Sequence, residues 1–243
     1  MTSDPTRRDF VGATAFAATA LAMTTESSTA SAQPMPARPL PGAPQMEYTI
    51  KKLPFDPSKV KGLSEKILTS HYENNYSGAV KRLNAITAQL ATLDVAAAPV
   101  FVVNGLKREE LIAMNSMIIH ELYFDSLAGE GDPTGALAEA MTRDFGSVAR
   151  WKAEFAATGK ALGGGSGWVL LSYSPHDKRL INSWAADHTM TLAGGRPILA
   201  LDMYEHAYQM DYGARAAAYV DAFMQGIRWS NAATLYERFA REA

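Results

Sequence analysis

The hydrophobic period of this chain changes twice, and those changes limit the folds open to it. From Gly62, "GLSEKILTSHYENNYSGAVKRLNAITAQLATL" repeats apolar residues at helical intervals, with Ser64 placed as an N-cap. "LKREELIAMNSMIIHELYFDSLAG" reads as a second long helix ending at Gly129, and the joining "DVAAAPVFVVNG" predicts an antiparallel helical hairpin. "GEGDPTG" punctuates the chain, followed by two shorter helical stretches, "PTGALAEAMTRDFGS" and "VARWKAEFAATGKALGG". The period then shortens. "SGWVLLSYS", "RLINSWAAD" and "PILALD" are β-rich, with "PHDK" as a hairpin turn, before helices return in "ARAAAYVDAFMQGI" and "NAATLYERFAREA". Helices, three strands and helices again predict an α+β fold. It comprises an N-terminal helical hairpin domain over 47–131 and, over 132–243, a C-terminal domain of three antiparallel strands with flanking helices.

The segment before that fold has another character. "TRRDFVGATAFAATALA" sets Arg7 and Arg8 before a mildly apolar, Ala-rich run, and Ala30, Ser31 and Ala32 offer small residues for signal-peptidase cleavage. Residues 1–32 therefore read as a Tat-type signal, implying a periplasmic or otherwise exported protein that folds before crossing the membrane. The apolar run is too short and small-sided for a stable membrane span. Residues 33–46, with five prolines between Gln33 and Gln45, read as an extended linker. A net charge of −2 supplies no basic field, so no nucleic-acid partner is expected, and no membrane partner beyond the export signal.

Cysteine is absent, which excludes disulfides, thiolate nucleophiles and Cys-ligated metals and leaves histidine and carboxylate as ligands. There are five histidines. His176 lies in the hairpin turn beside Asp177 and Lys178 and reads as surface; His71, His120, His188 and His206 have apolar or aromatic neighbours. In "ILALDMYEHAYQMDY" an apolar run stops at Asp202, with Glu205 and His206 close behind. Burying such groups unpaired is costly. Separated histidines and one carboxylate form a ligand set suited to a transition metal, with one position left for water or substrate. Three neutral imidazoles and a carboxylate carry one negative charge, which a divalent or trivalent ion would balance. Zinc fits that count as well as manganese or iron does.

"LALDMYEHAYQMDY" resembles the iron/manganese superoxide dismutase signature D-x-W-E-H-A-x-Y, with Tyr204 at the usual Trp. "GGGSGWVLL" resembles that family's G-S-G-W stretch, with Leu170 where a second Trp is common, and "SHYENNYSGAVKRLN" resembles its first-helix motif in outline. The resemblance spans roughly residues 47 to 241. It implies His71, His120, Asp202 and His206 as ligands of one Fe or Mn ion per subunit, and superoxide as substrate. It implies that Glu205 reaches across a homodimer or homotetramer interface to the partner's last ligand histidine. His188 would donate a hydrogen bond to solvent on the metal, and Tyr123, with Trp168 and Tyr204, would wall the site. His188 leans toward iron or mixed metal use, while the small Ser116 opposite it is the manganese-like arrangement.

Three further positions depart from the family. Ala79 stands where a Tyr gates the substrate path, and Asn75 and Gln209 replace an interface His–Tyr bridge. The reaction implied is a one-electron ping-pong that converts superoxide to dioxygen and hydrogen peroxide. Two other readings compete: an exported metal-binding protein that kept the scaffold with little dismutase activity, favoured by Ala79, and a non-redox zinc hydrolase, which would need a general base besides Glu205.

Overall fold

The computed structural model describes residues 46–243, so the signal-type segment and nearly all of the proline-rich linker lie outside the described residues. Helix α1 (Glu65–Ser70) starts on Ser64, whose hydroxyl accepts from the Ile67 amide, as its sequence predicts. The expected single helix is interrupted. Residues His71–Tyr76 form a π-helical turn before α2 (Ser77–Thr92) resumes. Helix α3 (Val100–Asp125) begins directly after Pro99, which stands at the N-cap with extended backbone, ahead of the expected "LKREE" start. "VFVVNG", expected as part of the joining segment, follows Pro99 and is helix.

Helices α4 (Gly135–Phe145) and α5 (Val148–Ala161) follow, α4 ending at Gly146 with φ of 87° and α5 capped by Ser147. The sheet has order β2-β1-β3, with β1 (Trp168–Ser174) antiparallel to both β2 (Arg179–Ala185) and β3 (Arg196–Asp202). Being central, β1 is buried at every position, which is why "WVLLSYS" is apolar almost throughout. Pro197 is tolerated because β3 is an edge. A 3₁₀ turn (Glu205–Ala207) and α6 (Gln209–Tyr212), α7 (Ala216–Gln225) and α8 (Trp229–Arg241) complete the chain. Among the described residues no helix is long and apolar enough to cross a membrane.

Two packings matter for function. Helices α2 and α3 pair as the hairpin, and α3 also lies against β3. The buried side of α3 carries Ala113, Ser116, Met117, His120, Tyr123 and Phe124 at three- and four-residue steps. His120 thus sits on the stripe that faces the sheet. One apolar core, including Leu83, Tyr123, Trp168 and Phe223, runs through hairpin and sheet alike.

Candidate metal centre

Four ionisable side chains from three parts of the fold meet beneath this packing. His71 opens the π-helical turn, His120 comes from α3, Asp202 is the last residue of β3, and His206 lies in the 3₁₀ turn beyond it. One ligand atom from each lies within 4.8 Å of all the others. The carboxylate organises them. Its Oδ1 accepts the Tyr204 amide at 2.8 Å, a local turn that fixes the plane of the group. Its Oδ2 then faces all three imidazoles, at 3.1 Å from His71 Nε2, 3.6 Å from His120 Nε2 and 3.3 Å from His206 Nε2.

His206 Nε2 bonds the carboxylate, but the other two histidines are not satisfied by it. Nε2 of His71 and Nε2 of His120 are buried and have no hydrogen-bond partner, so they aim at a shared point beside the carboxylate rather than at it. Unpaired buried nitrogens are costly unless something else occupies that point. For His120 the protonation pattern is legible: Nδ1 donates to the Ser116 carbonyl at 2.6 Å, with the Ser116 hydroxyl 3.2 Å away. That bond keeps the proton on Nδ1 and leaves the Nε2 lone pair free to bind a cation.

The electrostatics agree. Burial pushes His71 down and, with the neighbouring His71, pushes His120 down to about 3, so both rings stay neutral near pH 7. Burial alone would raise Asp202, but the neighbouring imidazoles, His206 first and His71 after it, outweigh burial and hold the carboxyl well below the usual range. Three imidazoles, two of them held neutral by burial, and one carboxylate are the donor set a divalent or trivalent transition ion takes. The residues present fit one metal ion.

The surroundings separate the other candidates. Trp168, paired with Asp202 across β1 and β3, donates Nε1–H to His188 Nδ1 at 3.0 Å. His188 must then carry its proton on Nε2, as a donor. Asn115 holds the same residue by its carbonyl. The Tyr204 ring lies parallel between His188 and His206, with centroids 4.9 Å and 5.3 Å away. Tyr123 is fully buried with its ring 5.1 Å from that of His71, and its hydroxyl accepts from Tyr219 at 3.3 Å. Glu205 is exposed, next to His206, whose side chain keeps 27% of its surface. His176 is exposed and paired with Asp177, away from this group.

A recess of about 300 Å³ opens between α2 and α3, lined by Asn75, Ala79, Arg82, Ser116 and His188 among others. Its walls are small at the positions that matter, Gly78, Ala79, Ala113 and Ser116. Tyr76 does not fill it, since its hydroxyl bonds the Lys51 amide and Glu121 on another face. Sequence reasoning missed the Trp168–His188 bond and the role of Asn115. Neither has a signal in spacing, because each joins elements distant along the chain.

Fold and site together define a class: an α+β protein built around one buried three-histidine, one-carboxylate group that could hold a single metal ion. Residues 133–235 match the family model for the C-terminal domain of iron/manganese superoxide dismutases. The chain is 69% identical over 197 residues to an iron superoxide dismutase of Cupriavidus metallidurans, covering 81% of this chain and all of that protein. It is 35% identical over 202 residues to a manganese superoxide dismutase of Halobacterium salinarum, covering 80% and 97% of the two. An iron enzyme of Aquifex aeolicus is 32% identical over 193 residues, covering 76% and 88%. The chain belongs to the iron/manganese superoxide dismutase family.

Proposed function

We propose that this protein is a metal-dependent superoxide dismutase, in which His71, His120, Asp202 and His206 hold one iron or manganese ion per subunit. When bound, that ion supplies reversible one-electron redox chemistry, oxidising one superoxide and reducing the next. The observation that carries the reading is the pair of unpartnered Nε2 atoms converging beside Asp202 Oδ2. The chain's own residues do the rest. Asp202 supplies a single negative charge, so the loaded centre remains positive and draws an anionic substrate. The recess at Ala79 gives a small anion a path, and His188 stands at its wall with Nε2–H as a hydrogen-bond donor. Tyr123 and Trp168 close the inner side against water.

Superoxide decay measured with metal-loaded protein, against a His120→Ala control, tests this. The parent should be faster by more than the ~10- to 100-fold that loss of a residue hydrogen-bonded to a ligand costs. Equal rates would remove the enzymatic reading. The open recess at Ala79 favours a second reading, a metal-binding protein with little turnover, and the same assay separates the two.

Two further parts of the reading concern the whole protein. Glu205 is exposed beside the one ligand histidine reachable from outside, which supports a homodimer or homotetramer in which Glu205 engages the partner's His206. Arg7 and Arg8 support Tat-type export to the periplasm. Replacing both arginines by lysine should abolish periplasmic accumulation, and unchanged export would refute that route.

A further inference from the structure

The interrupted first helix is the place where the fold departs most from its sequence pattern, and it carries a ligand. The buried positions from Leu63 to Leu83 are Leu63, Ile67, Leu68, His71, Tyr76, Ser77, Ala79, Val80 and Leu83. No gap between successive buried positions exceeds four residues except one. From His71 to Tyr76 the step is five, the span of a π-helical hydrogen bond. In an uninterrupted α-helix each residue turns about 100°, so closing that turn by one residue would swing His71 about 100° relative to α2.

Both flanks are pinned, so the mismatch cannot relax elsewhere. Before the turn, the Ser64 amide and hydroxyl each reach Asp211 at 2.7 Å. Beyond it, the Tyr76 hydroxyl donates to Glu121 on α3 at 3.0 Å and accepts the Lys51 amide at 2.9 Å. Between them, two side chains bond the backbone that the wide turn loosens. Asn74 Nδ2 donates to the Ser70 carbonyl at 2.9 Å, the acceptor that the Asn74 amide would take in an α-helix. The buried Ser77 hydroxyl donates to the Tyr72 carbonyl at 2.9 Å, the carbonyl that also takes the Ser77 amide across five residues. Neither side chain touches the four ligands. Each stabilises the wide turn over the regular one.

We propose that Asn74 and Ser77 are positioning residues for the metal: by holding the π-helical turn open, they aim His71 Nε2 at the point shared with His120, Asp202 and His206. The inference rests on the reading of His71 as a ligand. Wide turns are retained at functional sites because a regular helix would be the more stable local choice. The geometry here says what this one does, since the ligand opens the turn and its hydrogen bonds close it.

The test is the dissociation constant for Mn²⁺, by competition with a chelator, together with urea unfolding of the metal-free protein. The double variant Asn74→Ala, Ser77→Ala should bind Mn²⁺ about 10- to 100-fold more weakly, the range for residues that orient ligands without touching the ion. Its metal-free unfolding midpoint should stay level or rise, because alanine is a better helix former than asparagine or serine. Ser77→Thr, which keeps the hydroxyl, should bind within about threefold of the parent. Affinity unchanged in the double variant overturns the proposal. So does a loss of affinity accompanied by a parallel loss of metal-free stability, which would make these residues merely structural. His71→Ala is the control: binding retained in that variant refutes the ligand reading, whereas binding lost there but kept in the double variant refutes only the positioning role.

Discussion

At the scale of single residues, the ligand set is readable because apolar sequence makes ionisable groups conspicuous. Asp202 ends a run of buried side chains, and His120 sits on the buried side of α3, so each demands a partner. What spacing could not show is which nitrogen of each ring is free. That depends on the Ser116 carbonyl for His120 and on the Trp168 indole for His188, both set by packing. The same burial has a measurable consequence. His71 and His120 are held below the ordinary value of 6.5, His120 at about 3, so the folded chain binds fewer protons there than the unfolded one. Stability from these rings is present above 6.5 and lost as pH falls toward 3. Asp202, also depressed, works in the same direction below its ordinary value of 3.8. Urea midpoints of the metal-free protein should therefore fall between pH 7 and pH 5, and a flat profile would contradict the neutral-ring assignment.

At the scale of elements, strands and caps were legible and the irregular backbone was not. The three β-runs, the turn between the first two and the Ser64 cap all follow from local pattern. The π-helical turn hides in "HYENNY", where too few apolar residues mark the phase for one extra residue to be noticed. The entry to β1 is equally specific. Gly167 has φ of 140°, and a Cβ there would lie 2.2 Å from the Ala185 carbonyl oxygen. Its own carbonyl accepts the Met203 amide at 2.9 Å, immediately beyond Asp202. Gly167→Ala should lower the unfolding free energy by about 3 kcal/mol through backbone strain and the clash, and should weaken metal binding because Trp168 and Asp202 flank the displaced strand. Thermal unfolding and Mn²⁺ titration check both, and a neutral substitution would show that β1 can re-route.

At the scale of the whole molecule, the assembly proposed above rests on Glu205 and can be tested there. Glu205→Ala should shift the protein toward monomer in analytical ultracentrifugation and speed metal loss, while an unchanged mass and off-rate would place Glu205 outside any interface. The arrangement of donors has a consequence of its own. Residues 71, 120 and the 202–206 pair lie far apart along the polymer, so a bound ion fastens three distant stretches as a clasp would. Binding only the native state, it adds about 2.7 kcal/mol at a free concentration one hundred times its dissociation constant. Persistence of the folded chain is thereby tied to the supply of iron or manganese: starvation for the ion would thin the population of intact molecules as well as silence those that remain.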